Sequence, residues 1–447
     1  MSTFRRTVQL VVAGAVGAVL LAGCGAPSPP PLQPRQVAAP VIDSPTQPCV
    51  REAPAADVPA PAAPAGLDVR FDRATNVIDV VAGTGATLPA IAAAVGDPAA
   101  LREVGPGEWQ LGADLVVRGG AEVQISAPEV RWLKLESAPG RFVSVEALGG
   151  KLDVTGSCVT SWNDAEGTVD TGYDDGRSFL LARDGAQMTI SDAELHYLGH
   201  GDVESYGLSW RTAGTGGGIS DSIVSNLYYG LYTFEVSGLS VLDNEFRNNV
   251  LYGIDPHTGS SKLAIERNVV HDNGKHGIIL AEDCVDSVIR DNVVYRNAHH
   301  GIVLYLRSDR NLVEGNETFD NAAQGINVNE SGDNTLRNNR VYDNGETGVG
   351  ITQLAQGNVV EGNQLRGNQQ DGVRVVSEST ATTVRGNVIA DNVRYGVYVD
   401  TSGAIDLTGN TITDNRSGIM STGDAVAPAD ANDVRGNKDS DVVADKS

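Results

Sequence analysis

A glycine followed by an apolar residue recurs every 22 to 24 residues through the second half of this 447-residue chain. A pair of asparagines five residues apart recurs with the same period and in a fixed phase. Two tracks that stay in step over eight units predict a repeat architecture rather than one globular core. The glycines are Gly207, Gly230, Gly253, Gly277, Gly301, Gly325, Gly348, Gly372, Gly396 and Gly418. The asparagine pairs are Asn244/Asn249, Asn268/Asn273, Asn292/Asn297, Asn316/Asn321, Asn339/Asn344, Asn363/Asn368, Asn387/Asn392 and Asn410/Asn415.

The residues after each glycine alternate in character, which indicates a β-strand. Positions one and three after the glycine are apolar, as in Ile278 and Leu280, and a strand turns such residues to one face. An asparagine at the same place in successive coils can form a hydrogen-bonded ladder. We therefore predict an all-β fold, a right-handed parallel β-helix with coils of about 22–24 residues. A propeller and a left-handed hexapeptide helix, with repeats of about 40–45 and about six residues, do not match the spacing.

The N-terminus has the pattern of an export signal. Arg5 and Arg6 precede an apolar run from Val8 to Leu21, which is too short for a comfortable membrane span. The stretch that ends at Cys24 resembles the bacterial lipobox, which implies that Cys24 is acylated and becomes the mature N-terminus. The alternative is an ordinary secretory signal with a cysteine there by chance. We expect a lipoprotein outside the cytoplasm, anchored to the cell membrane by its lipid.

Composition divides the chain into four parts. Residues 1–23 are the predicted signal peptide, and the Pro/Ala-rich residues 24–66 are predicted to form an extended tether. Residues 67–437 are the predicted β-helix, and residues 438–447 are a polar tail. A short helix at Thr87–Val95 is expected to cap the first coil, because an open solenoid end exposes strand edges.

Three cysteines remain after Cys24, in a compartment that permits disulfides. An odd number leaves at least one of them free or paired outside the chain. A bridge between Cys49 and Cys158 would tie the predicted tether to the first coils, and Cys284 would then be free.

The net charge of −24 argues against nucleic acid as a partner. It also repels an anionic polymer at long range, so such a substrate would need a local basic cluster or screening ions. We expect no cofactor and no bound metal, because the many Asp-Asn pairs are typical of turns and no calcium-binding nonapeptide array occurs. We expect a monomer.

Residues two and four positions after each glycine should point outward, and one coil places Asp255 and His257 there together. Five of the seven histidines lie between residues 257 and 300, and tyrosines stand just before several of the glycines. Rings stack on sugar faces, and histidine moves protons near neutral pH. This face therefore predicts a site for a polysaccharide.

The segment Tyr252–His257 resembles the Tyr-Gly-x-Asp-Pro-His motif of the mannuronan C-5-epimerases, which modify alginate. Further segments are similar to the periplasmic members of that family, and together the resemblance covers roughly residues 150 to 400. These segments are Val159–Trp162, Gly176–Ala182, Tyr228–Gly230, Lys275–Ile279 and Glu330–Asn334.

The resemblance implies a reaction at C5 of a hexuronate within a polymer. The enzyme removes the C5 proton and returns one to the opposite face, so the site must neutralise the adjacent carboxylate and supply a base and an acid. By resemblance His257 is the base, Asp255 orients it or shapes the −1 subsite, and Tyr252 is the second proton carrier. The residues expected to contact substrate are Lys275, His276, His299, His300, Tyr229, Tyr232, Arg211, Arg307 and Tyr305.

One departure from the family concerns the arginine thought to neutralise the substrate carboxylate. Counting along this chain places Glu282 where the periplasmic members have that arginine, and His299 where the secreted members have theirs. Lys275, Arg211 or Arg307 could substitute.

Three other functions stay open beside the epimerase. A polysaccharide lyase shares the first step but expels the C4 oxygen. A non-catalytic polysaccharide-binding lipoprotein would keep the groove without the neutralising charge, which Glu282 favours. An accessory factor in metal-centre maturation would rest on the fold alone.

Overall fold

Three parallel β-sheets wind through the body of the protein, one strand of each per coil. The structure is a computed structural model, and it describes residue 35 and residues 43–50, 65–422 and 429–445. Residues 1–37 form a separate unit, of which only Arg35 is described. The predicted signal peptide and the lipidation site at Cys24 thus lie outside the described residues. The predicted fold class, a right-handed parallel β-helix, is confirmed.

Sheet 1 contains the strands that follow the repeat glycines. Its parallel strands are Val77–Thr87, Asp114–Arg118, Ser144–Leu148, Phe179–Arg183, Gly207–Arg211, Tyr229–Phe234, Ile254–His257, Ile278–Ala281, Ile302–Tyr305, Ile326–Asn329, Val349–Thr352, Val373–Val376, Tyr395–Asp400, Ser417–Thr422 and Ser440–Asp445. Sheet 2 contains Ala121–Ser126, Lys151–Thr155, Gln187–Ser191, Gly216–Ser220, Ser240–Leu242, Ala264–Glu266, Val288–Arg290, Leu312–Glu314, Thr335–Arg337, Val359–Glu361, Thr382–Arg385 and Ile405–Thr408. The long strand Val77–Thr87 pairs into both sheets and joins them.

Sheet 3 carries the shorter strands that close each coil. Its strands are Leu101–Gly105, Glu108–Leu111, Trp132–Ala138, Cys158–Trp162, Glu194–His196, Ile223–Ser225, Glu245–Arg247, Val269–His271, Val293–Tyr295, Glu317–Phe319, Arg340–Tyr342, Gln364–Arg366, Val388–Ala390, Thr411–Thr413 and Asp433–Arg435. Three pairings are antiparallel: Leu101–Gly105 with Glu108–Leu111, Arg141–Phe142 with Trp132–Ala138, and the first strand Ala65–Asp72 with Val77–Thr87. A 3₁₀-helix at Ala429–Ala431 precedes the last strands.

The register of sheet 1 follows the repeat. Ile254 pairs with Ile278 and Ile278 with Ile302, and all three side chains are fully buried. The repeat glycine is required by its surroundings: a Cβ on Gly253 would lie 2.4 Å from Val270 Cγ1 and 2.6 Å from the carbonyl oxygen of Gly277. Close packing of one coil on the next therefore sets both tracks of the sequence.

Both asparagine tracks form ladders. Asn268 Nδ2 donates to Asn292 Oδ1 at 3.0 Å and also to the backbone oxygen of Val241, while its Oδ1 accepts from Asn244. The second track repeats the pattern, as in Asn273 Nδ2 to Asn297 Oδ1 at 2.9 Å. The predicted ladder is confirmed, and it satisfies buried polar groups at every turn.

The predicted cap is present as the helix Leu88–Val95. Pro89 lies in its first turn, and the helix ends at Gly96, whose φ of 62° suits glycine. Leu88 and Ile91 are fully buried in the main core, so the helix covers the first coil. The described part of the chain contains no helix with the length and hydropathy needed to cross a bilayer.

Part of the predicted tether packs against the β-helix. A disulfide joins Cys49 to Cys158, as predicted, and Asp43 accepts two hydrogen bonds from Arg247, each 2.7 Å long. Residues 43–50 are therefore bound to sheet 3 rather than extended. Cys284 is free and buried, and burial raises the pKa of its thiol to about 12.

The β-helix also extends past the predicted boundary at residue 437. Strand Ser440–Asp445, within the predicted polar tail, pairs with Ser417–Thr422. Asn437 continues the second ladder by accepting from Asn415 at 3.1 Å, which brings the tail back onto the coil below.

Candidate active site

A cleft of about 400 Å³ lies on the outer face of sheet 1. Successive coils contribute to it from the same positions relative to their glycines, so the register determines which side chains meet. The lining residues are Tyr229, Tyr252, Asp255, His257, Lys275, His276, Ile279, Ala281, His299, His300, Val303, Tyr305, Asn327 and Asn329. Nine of the predicted site residues are thereby brought together.

Asp255 forms part of the cleft floor and is only 2% exposed. Its Oδ1 is buried without a hydrogen-bond partner among the described residues. Burial raises the pKa of this carboxyl well above its usual range, and nearby Lys275 opposes the shift while Glu282 adds to it. The surroundings thus favour a neutral carboxyl group, able to donate a hydrogen bond to a ligand.

His257 stands two residues further along the same strand and is partly buried. Its Nδ1 lies 2.7 Å from Thr258 Oγ1 and 3.0 Å from the backbone nitrogen of Thr258, and its ring stacks on Tyr232 with centroids 5.7 Å apart. Burial lowers the pKa of His257; Glu282 raises it and Arg211 lowers it. The imidazole is therefore neutral near pH 7 and able to accept a proton.

Tyr252 and Lys275 form a hydrogen-bonded pair on the rim of the cleft. Lys275 Nζ donates to the Tyr252 hydroxyl oxygen at 2.6 Å. The Tyr252 ring packs between Tyr229 and His276, with centroid distances of 5.3 Å on both sides. The lysine and the two flanking rings thus hold the Tyr252 hydroxyl at the rim of the cleft.

Three histidines continue the stack across the cleft. The rings of His276 and His300 lie 5.1 Å apart and nearly parallel, and His299 contacts both edge-on. Burial and the neighbouring histidines lower the pKa of His276 to about 2 and that of His300 to about 3. Both rings are therefore neutral at any pH at which the protein is expected to work.

Backbone hydrogen bonds indicate the tautomer of these two rings. The N–H of His300 donates to His276 Nδ1 at 3.3 Å, and that of Gln324 donates to His300 Nδ1 at 3.0 Å. The ring hydrogens are then on Nε2, and both rings line the cleft. Ligand atoms of His276, His299 and His300 come within 4.8 Å of one another. A metal bound through Nε2 would need the hydrogen on Nδ1, where a backbone N–H already points, so the pair is better suited to donate hydrogen bonds.

Three predicted contact residues lie outside the cleft lining, namely Tyr232, Arg211 and Arg307. Arg211 is buried among aromatic rings, with its guanidinium 5.0 Å from the ring of Tyr232. Arg307 pairs with Asp283 at 2.7 Å and is exposed. Lys275 is consequently the one lysine or arginine among the described residues that line the cleft.

The sequence prediction missed three polar residues at the site. Asn327 and Asn329 line the cleft, and they occupy the same outward positions as Asp255 and His257 three coils further along, so the register could have identified them. Thr258, which contacts His257, follows the strand and had no repeat signal.

Comparisons with known proteins agree with this geometry. The family model described as "Right handed beta helix region" matches residues 159–317 and 278–439. The chain is 33% identical to the mannuronan C5-epimerase of Pseudomonas aeruginosa over 42% of its own length and 37% of that protein. It is 30% identical to the enzyme of Pseudomonas putida, over 52% of this chain and 47% of that one. The matches thus span less than half the length of these curated relatives.

Solved structures show the same architecture over a larger share of the chain. The crystal structure of the periplasmic alginate epimerase AlgG is similar with a TM-score of 0.64 and 25% identity, covering 83% of this chain and 84% of that one. A mutant of that enzyme gives a TM-score of 0.69 at 25% identity, covering 74% and 84%. With the family model matching well over half of its residues, the chain belongs to the right-handed β-helix family.

Proposed function

We propose that this protein is a C5-epimerase of a uronate-containing polysaccharide, most simply a poly-mannuronate. The observation that carries the proposal is the arrangement of three groups in one cleft: the neutral base His257, the unpaired buried carboxyl of Asp255 and the lysine-bonded hydroxyl of Tyr252. Similarity to mannuronan C5-epimerases, including the alginate epimerase AlgG, supports both the reaction and the class of substrate.

The first step breaks the C5–H bond of a bound uronate. The proton moves to the imidazole of His257, and the electron pair delocalises into the adjacent carboxylate. Hydrogen bonds from Lys275 and from the Nε2–H groups of His276 and His300 stabilise the charge that builds up there. These donors would replace the arginine that the resemblance leads one to expect, with only one formal positive charge among them.

The second step returns a proton to the opposite face of C5. Tyr252 supplies it, and the resulting phenolate is stabilised by Lys275 at 2.6 Å. Exchange with solvent then restores Tyr252 and releases the proton held by His257. Asp255 donates a hydrogen bond to the sugar and fixes the ring, so that C5 stays between the two proton carriers.

Incorporation of solvent deuterium at C5 tests the proposal directly. Wild-type protein is incubated in D₂O with a panel of uronate polymers, and the product is analysed by NMR. We expect deuterium at C5 with inversion, and a fall of about a thousandfold in His257→Ala. Arg310→Ala, which breaks an exposed ion pair with Asp286, is the control and should retain the wild-type rate.

Two other outcomes would contradict the proposed epimerase activity and identify a different function. An unsaturated, ultraviolet-absorbing product would identify a lyase. Binding without deuterium incorporation on every polymer would identify a non-catalytic polysaccharide-binding protein, which the acidic Glu282 and the net charge of −24 favour.

We also propose that the protein is exported and anchored to the membrane by a lipid on Cys24. The arginines and apolar run before Cys24 support this, as does the similarity to a periplasmic alginate epimerase. Labelling of cells with a radioactive fatty acid should mark the wild-type protein and not Cys24→Ser. Equal labelling of both would contradict the anchor.

A further inference from the structure

We infer that Arg374, Arg394, Tyr395 and Tyr398 form a distal subsite, which binds the uronate polymer outside the cleft. A carboxylate of the polymer contacts the two arginines there, and a sugar ring packs on the tyrosines. The inference rests on the proposed function, because it assigns the same polymer to both places. It concerns affinity and the length of the substrate rather than the chemical step.

The cleft is elongated along the axis of the β-helix. Its lining residues come from successive coils, from Tyr229 at one end to Asn327 and Asn329 at the other. Stacked coils lie about 4.8 Å apart, the spacing of neighbouring strands. A polymer bound along the cleft therefore crosses the strands and continues over the coils beyond one end or both.

The coils beyond Tyr229 are unfavourable for a uronate. A second cavity, of about 330 Å³, lies there, and the ring of Tyr228 in its wall contacts the Tyr229 ring with centroids 5.4 Å apart. Three carboxylates line this cavity, those of Asp174, Asp175 and Asp202, with no lysine or arginine among the described lining residues. These charges repel the carboxylates of the polymer, so the polymer extends in the other direction.

The opposite end of the cleft leads to the distal subsite in an unbroken register. In the row of outward residues, Asn327 pairs with Gly350, and Gly350 pairs with Arg374. The next residue of this row is Tyr398. Asp255 and Arg374 occupy the same position five coils apart, which corresponds to about 24 Å. One row of sheet 1 thus connects the cleft with the distal subsite.

The rim of the cleft continues in the same way. Lys275 lies two residues before its repeat glycine, and backbone hydrogen bonds join this position from coil to coil as far as Arg394. Tyr252 and Tyr395 each directly precede a repeat glycine. A cation and a tyrosine ring therefore stand on the rim at both places. The rim between them carries one acidic residue, the partly buried Glu346.

Asp371 and the tyrosines hold the two arginines in place. The fully buried carboxylate of Asp371 accepts hydrogen bonds from Arg374 Nη1 and from Arg394 Nε and Nη2. The guanidinium of Arg374 lies 4.4 Å from the centroid of the Tyr398 ring. That of Arg394 lies 5.0 Å from the centroid of the Tyr395 ring. Because these contacts fix the guanidinium groups before a ligand arrives, little side-chain entropy is lost on binding.

Both arginines keep hydrogen-bond donors for a ligand. Nε and Nη2 of Arg374 and Nη1 of Arg394 have no partner among the residues that the structure describes, and the two side chains are 27% and 38% exposed. Two guanidinium groups on the carboxylate of Asp371 leave a net positive charge, which exposed Asp400 offsets in part. Guanidinium groups bind carboxylates and tyrosine rings stack on sugars, so this surface suits a uronate.

A length series of oligomannuronates tests the distal subsite by kinetics. In the wild type, kcat/KM should rise about tenfold at the length that reaches from the cleft to Arg374. Arg374→Ala and Arg394→Ala should lose this rise through a higher KM with kcat unchanged, because binding there is equal in the ground and transition states. Shorter oligomers should react equally in all variants, and loss of folded protein would lower those rates too. Arg385→Ala, which removes an exposed arginine paired with Glu361 on sheet 2, is the matched control.

Binding without turnover keeps this test separate from the proposed reaction. In the His257→Ala background, calorimetric titration with poly-mannuronate should give a Kd about tenfold higher when Arg374 or Arg394 is also replaced by alanine. Glu346→Gln should lower the Kd about threefold, because it removes a like charge from the rim. A carboxyl-reduced, neutral polymer should bind equally with and without the arginines, and more weakly to Tyr398→Ala.

The two proposals fail differently. Equal KM and Kd for the polymer in Arg374→Ala, Arg394→Ala and Arg385→Ala would overturn the distal subsite and leave the epimerase intact. Arginine variants that lose the neutral polymer as strongly as the charged one would overturn the contact with a carboxylate. Wild-type protein that binds the polymer without deuterium incorporation would overturn the epimerase, and the titrations would still decide whether the distal subsite exists.

Discussion

Two buried aspartates beside sheet 1, Asp255 and Asp371, have very different surroundings. Asp371 is fully buried and accepts hydrogen bonds from Arg374 at 3.1 Å and from Arg394 at 2.9 and 2.7 Å. Asp255 is 2% exposed, and its Oδ1 has no hydrogen-bond partner among the residues that the structure describes. Lys275 acts on it only through its charge. Both coils have the same glycine and the same asparagine ladders, so the difference lies entirely in the outer face.

A buried carboxyl group without a partner is unfavourable for folding, and such groups persist where they are used. Asp371 shows how this protein pairs a carboxylate that has a structural role: two arginines, one from its own coil and one from the next. The absence of equivalent arginines around Asp255 among the described residues marks its coil as the one that leaves polar groups free for a ligand. The coils at residues 252–305 and those at residues 371–398 thus have the same backbone architecture. The first set leaves polar groups free for a ligand, whereas the second pairs its buried carboxylate with arginines.

Replacing each aspartate with asparagine should distinguish the functional role of Asp255 from the structural role of Asp371. Asp371→Asn should lower the free energy of unfolding by about 3 kcal/mol, because Arg374 and Arg394 lose a buried partner, with activity retained. Asp255→Asn should not lower the free energy of unfolding, since asparagine resembles a neutral carboxyl group, and it should lower kcat about a hundredfold. Urea unfolding and the C5 deuterium assay measure the two effects.

The opposite result would break the comparison. If Asp255→Asn destabilised the protein as strongly as Asp371→Asn and left the rate unchanged, Asp255 would have a structural role only. Melting curves of both variants with and without polymer show whether any loss of activity reflects loss of folded protein.

The repeat allowed the fold and the composition of the cleft to be predicted. It assigned Ile254 and Ile278 to the core and placed Asp255 and His257 on one outer face, and the structure agrees. Arg307 was predicted to contact substrate, but it pairs with Asp283, 24 residues earlier. The sequence could have predicted this ion pair from its spacing, because Arg267 with Asp243 and Arg310 with Asp286 are also 24 residues apart.

The rest depended on contacts that periodicity does not describe. The register gives only the direction of Asp255, and its burial, at 2% exposed, is visible only in the three-dimensional structure. Arg211 points outward as predicted, yet Tyr206, Tyr232 and Phe234 surround its guanidinium and keep it from the cleft. The tautomers of His276 and His300 follow from backbone N–H groups on the next coil, which only the three-dimensional structure shows.

Removing the cation of the cleft is expected to have the next largest effect. Lys275→Met should lower kcat/KM between about ten- and a hundredfold, because it removes a donor to the substrate carboxylate and the partner of Tyr252. The loss should be smaller than for a fully buried donor, since the lysine is exposed and screened by solvent. Lys275→Arg keeps the charge and serves as control. Equal rates for Lys275→Met and wild type would show that the histidines alone neutralise the substrate.

The smallest expected effect concerns the charge state of Asp255 itself. Because its pKa is raised in the folded protein, the folded state holds this proton more tightly than the unfolded chain, whose aspartates titrate near about 3.9. The stabilisation from this group is complete below that pH and is lost as the pH rises through the folded-state pKa. Relative to Asp255→Asn, the wild type should therefore lose up to about 1.4 kcal/mol of stability per pH unit within that window, and no more above it.

Melting temperatures of the two proteins at several pH values from 4 to 9 measure the difference. A difference that stays constant across this range would mean that Asp255 is ionised in the empty cleft, and its contrast with the paired Asp371 would then rest on geometry alone.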